Sequence, residues 1–208
     1  MDIQITTINN DFQHSGKRKH VDGIVIHSMA KYFHRDILRG HPYYLPDSIV
    51  DEFPDFIFAP DFLSIVGKWA KQPWLKGSAD FFVERHGIGY EWGYDKITWH
   101  AGQSEWGEWN SLNKNFLGFE CLVGEKPFKD YGEFLHSINT NKKLFTEEMY
   151  KTLAFKTIEQ MVQHQIHIDN VITHKMCAGD HVRGKDAGKQ DPGDVFDWPY
   201  FKRLLIKI

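Results

Sequence analysis

Gly23-Ile24-Val25-Ile26-His27-Ser28 is an unbroken apolar run that ends on a histidine. Consecutive aliphatic residues with no polar interruption mark a strand covered on both faces, and they predict a strand over 21–29. A histidine at the end of such a strand sits at the rim of the sheet, where its ring can face a cleft. A second histidine follows a shorter run, Val171-Ile172-Thr173-His174. Downstream comes Lys189-Gln190-Asp191-Pro192-Gly193, in which Pro-Gly sets a tight turn behind a carboxylate. Two histidines and one carboxylate match the ligand count of a catalytic zinc site that keeps its fourth position open. Each residue alone is more often structural; the combination points to metal-dependent hydrolysis.

The rest of the chain sets bounds on that reading. Its 208 residues suffice for one domain with a real core. The formal net charge of −3 gives no basic field for nucleic acid or an anionic membrane. Two cysteines, Cys121 and Cys177, make no disulfide framework. No run reaches the ~18 apolar residues of a membrane span. The first residues lack the basic and apolar regions of a signal peptide, so cytoplasmic synthesis is expected. Residues 1–20 are polar and are expected to wrap the surface. Residues 30–76 are rich in aromatics and prolines without a period, and are expected to form an insertion of loops and short helices. Residues 79–84 and 88–94 flank Arg85-His86-Gly87 as a hairpin. Residues 116–123 read as a further strand. Thr146 can cap a helix whose apolar face carries Tyr150, Leu153, Ala154, Ile158, Met161, Val162 and Ile166. A last helix is expected within 195–206. Strands mixed with helices predict an α/β fold, one domain over 1–208 with a central mixed sheet flanked by helices.

In their order, Gly23 to His27, Ser78-Ala79-Asp80-Phe81-Phe82-Val83, Trp99-His100-Ala101-Gly102, Leu117-Gly118-Phe119-Glu120, Thr173-His174 and Lys189 to Gly193 resemble the zinc N-acetylmuramoyl-L-alanine amidases. That family shares its fold with peptidoglycan recognition proteins and many phage endolysins. The resemblance covers roughly 21–29 and 78–205. It implies hydrolysis of the amide between the lactyl group of N-acetylmuramic acid and L-alanine, with peptidoglycan or a muropeptide as substrate and Zn2+ as cofactor. It implies zinc ligands at His27, His174 and Asp191, an acidic catalytic residue at Glu120 and a basic one at Lys189.

The residues agree with those roles. Glu120 lies in an apolar run where an unpaired carboxylate is costly, and it could take a proton from a zinc-bound water. Lys189 stands two residues from a ligand and could stabilise an oxyanion. His100 and Trp99 are candidate substrate-binding residues, and Trp106 is a candidate stacking surface, with core packing the alternative. The chain departs from the family in two places. A long charged stretch separates His174 from Asp191, and within it Cys177, Asp180 and His181 rival Asp191 as third ligand. Asp80-Phe81 stands where relatives often have His-Tyr, which leaves Glu120 as the catalytic candidate. The expected setting is a monomeric phage endolysin that reaches the wall after release. The alternatives are a cytoplasmic muropeptide-recycling amidase and a non-catalytic binding module of the same fold. The absence of His-Glu-x-x-His argues against a common zinc peptidase.

Overall fold

In the computed structural model the described residues are 3–8, 14–39, 46–69 and 77–206. Parts of the expected insertion (40–45 and 70–76) and of the N-terminal stretch (1–2 and 9–13) lie outside them. The strands are β1 (Ile5–Thr7), β2 (His14–Lys17), β3 (Gly23–Ala30), β4 (Tyr32–His34), β5 (Phe56–Phe58), β6 (Phe81–Glu84), β7 (Gly89–Glu91), β8 (Lys96–Thr98), β9 (Glu105–Trp106), β10 (Trp109–Asn110), β11 (Phe116–Val123) and β12 (Val171–Thr173). The helices are α1 (Asp47–Val50), α2 (Ala59–Trp69), α3 (Tyr131–Thr140), α4 (Glu147–His164), α5 (His174–Ala178), α6 (Asp180–Arg183) and α7 (Trp198–Ile206).

Six strands form a mixed sheet in the order β1-β7-β6-β11-β3-β12. The three central strands run parallel, and β6 and β7 form the antiparallel hairpin expected around Gly87, which has φ +78°. Ile24, Val25 and Ile26 have no exposed surface. Burial of each stabilises the fold by roughly 1.5–3 kcal/mol, which is why this run sits at the centre of the sheet. One face is covered by α4 and α7, with Phe119, Leu153, Phe196 and Phe201 in a common core. Thr146 caps α4 by accepting from Met149 N, and Phe145 lies 6.2 Å from Tyr150, centroid to centroid. Val162 is the exception on the expected apolar face, being 75% exposed, because it falls on the outer side of the helix.

Two expectations are corrected. The N-terminal stretch does not only wrap the surface: β1 extends the main sheet beside β7 and β2 pairs with β8. Strands this short take their stability from a partner, so sequence pattern alone does not reveal them. The stretch around 30–69 is also more ordered than loops with short helices. β4 and β5 pair antiparallel, and Leu38, Val50, Ile57 and Val66 form a small core of their own.

Candidate metal centre and cleft

His27 and Glu120 are register partners on β3 and β11, so their side chains leave the sheet on the same face. His174 follows its strand directly, as expected. It opens α5, with Thr173 Oγ1 accepting from Met176 N as the cap. Asp191 is fastened beside it, since Lys175 N donates to the Asp191 carbonyl. Behind Asp191 the chain turns at Gly193, where φ is +98° and a Cβ would sit 2.2 Å from the Ile138 carbonyl oxygen; only glycine fits. These anchors bring Asp191 Oδ2 to 3.2 Å from His27 Nδ1 and 3.0 Å from His174 Nδ1.

The outer ring nitrogens decide what these groups present to the centre. His174 Nε2 donates to the Ala101 carbonyl at 3.2 Å, which leaves Nδ1 bare on a neutral ring. His100 Nε2 donates to the Phe116 carbonyl at 3.0 Å, so His100 Nδ1 accepts from His27 Nε2, also at 3.0 Å. The neutral ring of His27 is then bare at Nδ1 as well. Burial, followed by the repulsion a protonated His174 would exert, takes the His27 imidazole down to about 4, and burial followed by His27 takes His100 well below its usual range, so cationic rings are disfavoured at this centre. Burial alone would raise Asp191, but protons carried by His174 and His27 on the side facing it would hold it well below the usual carboxylate range, a role that passes to a cation when the rings are neutral. Two lone pairs and a carboxylate therefore converge, with donor atoms all within 4.8 Å of one another. A cation satisfies such a set. The 3.0–3.2 Å spacings are close to the ~3.3 Å edge of a tetrahedron with 2.0–2.1 Å bonds to zinc.

The rivals of Asp191 lie elsewhere. Cys177 is buried with Sγ 3.5 Å from the His174 carbonyl, and burial pushes its thiol up to about 12. Asp180 accepts from Gly188 N and His181 is exposed. None of the three joins the converging atoms.

Glu120 faces the same centre. Its Oε2 is buried without a hydrogen-bond partner. Burial, reinforced by Asp191 and opposed by Lys189, raises the Glu120 carboxyl well above the usual range. Lys189 is placed by its own N–H on the Ala178 carbonyl, and it lines the cleft. The cleft measures about 570 Å3. Its floor holds His27, His174, Asp191 and Glu120, one wall carries Tyr32, Phe33 and Ile37, and the other Phe128, Tyr131 and Phe134. Trp99 lines it too, whereas Trp106 packs half-buried against the cluster of Val25, Leu112 and Phe116. His100 stands behind His27 as its hydrogen-bond partner while also lining the cleft.

Two parts of the site escaped the sequence reading. The α3 wall carries a signal that could have found it: Asp130 caps the helix by accepting from Glu133 N, the spacing of a helix N-terminus. The polar frame behind His100 carries none. Arg18 and Asp80, both almost fully buried, pair at 2.9 Å. Asp80 Oδ2 accepts from Gly118 N and Thr98 Oγ1, and Asn113 Oδ1 accepts from His100 N and Ala101 N. Burial works to raise Asp80 against the pull of Arg18.

The profile of the N-acetylmuramoyl-L-alanine amidase family matches residues 17–194, a span that includes all five site residues. A curated relative, the 1,6-anhydro-N-acetylmuramyl-L-alanine amidase AmpD of Salmonella typhimurium (strain SL1344), is 29% identical over 132 residues, 63% of this chain. The match spans 58% of that relative's length. A selenomethionine derivative of AmpD shares the fold with a TM-score of 0.58 and 19% identity, over 99% of this chain and 96% of that one. A mutant endolysin from Bacillus subtilis does so at 0.53 and 16%, over 98% and 99%.

Proposed function

This chain belongs to the N-acetylmuramoyl-L-alanine amidase family, and we propose that its cleft hydrolyses the amide between the lactyl group of N-acetylmuramic acid and L-alanine of peptidoglycan. The observation that carries the reading is the convergence of His27 Nδ1, His174 Nδ1 and Asp191 Oδ2 beside the unpartnered Oε2 of Glu120. His27, His174 and Asp191 would hold zinc. Bound there, zinc would supply Lewis acidity for the attack of water on the amide carbonyl.

The chain's own groups supply the rest. Glu120 Oε2 takes a proton from the attacking water, and the raised proton affinity of this buried carboxyl suits it to hold that proton. The water oxygen bonds to the lactyl carbonyl carbon, and the Lys189 ammonium faces the negative charge that develops on the carbonyl oxygen. Glu120 then returns the proton to the L-alanine nitrogen as the carbon–nitrogen bond breaks. The second water proton passes to the released nitrogen as well, so the products are a lactyl carboxylate and a peptide with a free ammonium group. The aromatic walls around Tyr32 and Tyr131 hold sugar and peptide above this floor.

The proposed substrate is the wall polymer, as for an endolysin. A second reading, cleavage of small soluble muropeptides, is favoured by the curated relative, an amidase named for 1,6-anhydro substrates. Turnover of intact sacculi and of a 1,6-anhydromuramyl tripeptide by the zinc-loaded protein separates the two. Preference for sacculi supports the wall-lytic reading, preference for the tripeptide supports the second, and cleavage of neither refutes both.

A further inference from the structure

A second cavity of about 310 Å3 opens beside the metal centre. It shares Trp99, His100 and Lys189 with the main cleft, so it is a side chamber of the same groove. Arg183 and Asn113 complete its polar lining, and no carboxylate lines it. Arg183 comes from the long charged stretch between His174 and Asp191.

Arg183 is fixed by backbone alone. Its Nε donates to the Gln103 carbonyl at 2.9 Å and its Nη2 to the Ala101 carbonyl at 2.7 Å. Gly102, with φ +58°, lies directly beneath, where a Cβ would come within 3.0 Å of Nη2. The loop is tied a second time by Gln103 Nε2, which donates to the Val182 carbonyl. Among the described residues Arg183 forms no ion pair or hydrogen bond with a carboxylate, although the Asp191 charge acts on it from a distance, and its Nη1 has no acceptor; the Lys189 ammonium and the Asn113 amide nitrogen are likewise without an acceptor. The Asn113 orientation is fixed because its oxygen already receives two backbone N–H groups. The chamber thus offers an amidinium edge, an ammonium and an amide N–H2, and no acceptor side chain. That donor set is complementary to a carboxylate.

We propose that this chamber binds a free carboxylate on the peptide side of the substrate, with Arg183 as the specificity-determining residue. The inference rests on the amidase reading. In a peptidoglycan stem the first such group after the scissile bond is the α-carboxylate of the γ-linked D-glutamate that follows L-alanine. The guanidinium is immobilised before substrate arrives, so little side-chain entropy is lost on binding.

The test compares N-acetylmuramoyl-L-alanyl-D-glutamate with its D-isoglutamine counterpart, in which that carboxylate is an amide. The zinc-loaded protein is expected to favour the acid by about tenfold or more in kcat/KM, mainly through KM. R183Q brings the ratio near one, and R183K retains part of the preference. A purely structural role of Arg183 would lower both substrates equally and leave the ratio unchanged. A wild-type ratio near one, or a ratio that survives R183Q, overturns the proposal. If zinc-loaded protein cuts neither compound and releases nothing from sacculi, the amidase reading fails. Calorimetry with the same two compounds then decides the chamber: acid-over-amide affinity lost in R183Q supports it, and equal affinities refute it.

Discussion

Gly118→Ala adds a single methyl group to the central strand β11, two residues before Glu120, and should impair metal binding without touching a ligand. A Cβ at this position would lie 2.4 Å from His100 Cγ, whereas ordinary contact begins at 3.4 Å. The His100 ring must therefore retreat by about 1 Å, or β11 must shift by as much. The 3.0 Å bond from His27 Nε2 does not survive such a move. Overpacking costs roughly 1–3 kcal/mol and the lost hydrogen bond about 1 kcal/mol. The metal-free protein should then melt about 4–16 °C lower, at 2–4 °C per kcal/mol for a domain of this size. Losing the outer partner of a metal-binding histidine typically weakens metal affinity about 10–100-fold. Zinc affinity by chelator competition, alongside thermal melts in EDTA, measures both effects. His100→Asn is the companion variant: it keeps an acceptor near the Nδ1 position without the clash, and should bind zinc more tightly than His100→Ala. Zinc affinity within twofold of wild type in Gly118→Ala, with an unchanged melt, would refute the reasoning.

Other outcomes follow from the same geometry. Glu120→Gln should retain zinc and lose turnover; loss of zinc would show that Glu120 is itself a ligand. The same variant should gain stability relative to wild type as pH rises from 5 to 8 in EDTA. Above 4.5 the unfolded Glu120 ionises, whereas burial raises the folded group, so the native state pays for ionisation as pH increases. Equal melts at both pH values would contradict the burial argument. Asp191→Ala should weaken zinc binding more than any outer-partner variant, whereas Cys177→Ala should leave it intact, both read by chelator competition. The reverse ranking would move the third ligand to Cys177.

The sequence shows where the long buried elements lie and hides what depends on distant partners. β11 and β12 are legible to the residue because their largely apolar runs have one burial solution, and α4 is legible from Thr146 and its periodic face. Arg18 is the opposite case. In Lys17-Arg18-Lys19 it reads as a solvated cation, yet its partner Asp80 is 62 residues away and the pair is buried behind His100. His100 shows the same limit within the site, because Trp99-His100-Ala101-Gly102 points to the cleft but not to the hydrogen bond with His27. The side chamber was equally hidden, since Arg183 gains its setting from the carbonyls of Ala101 and Gln103 some 80 residues upstream.

Digestion of purified sacculi by the zinc-loaded protein tests the central claim most directly. The account predicts new free amino groups on L-alanine, no new reducing sugars, and loss of that release in Glu120→Gln. New reducing ends, or no release from a protein that holds one zinc per chain, would contradict it.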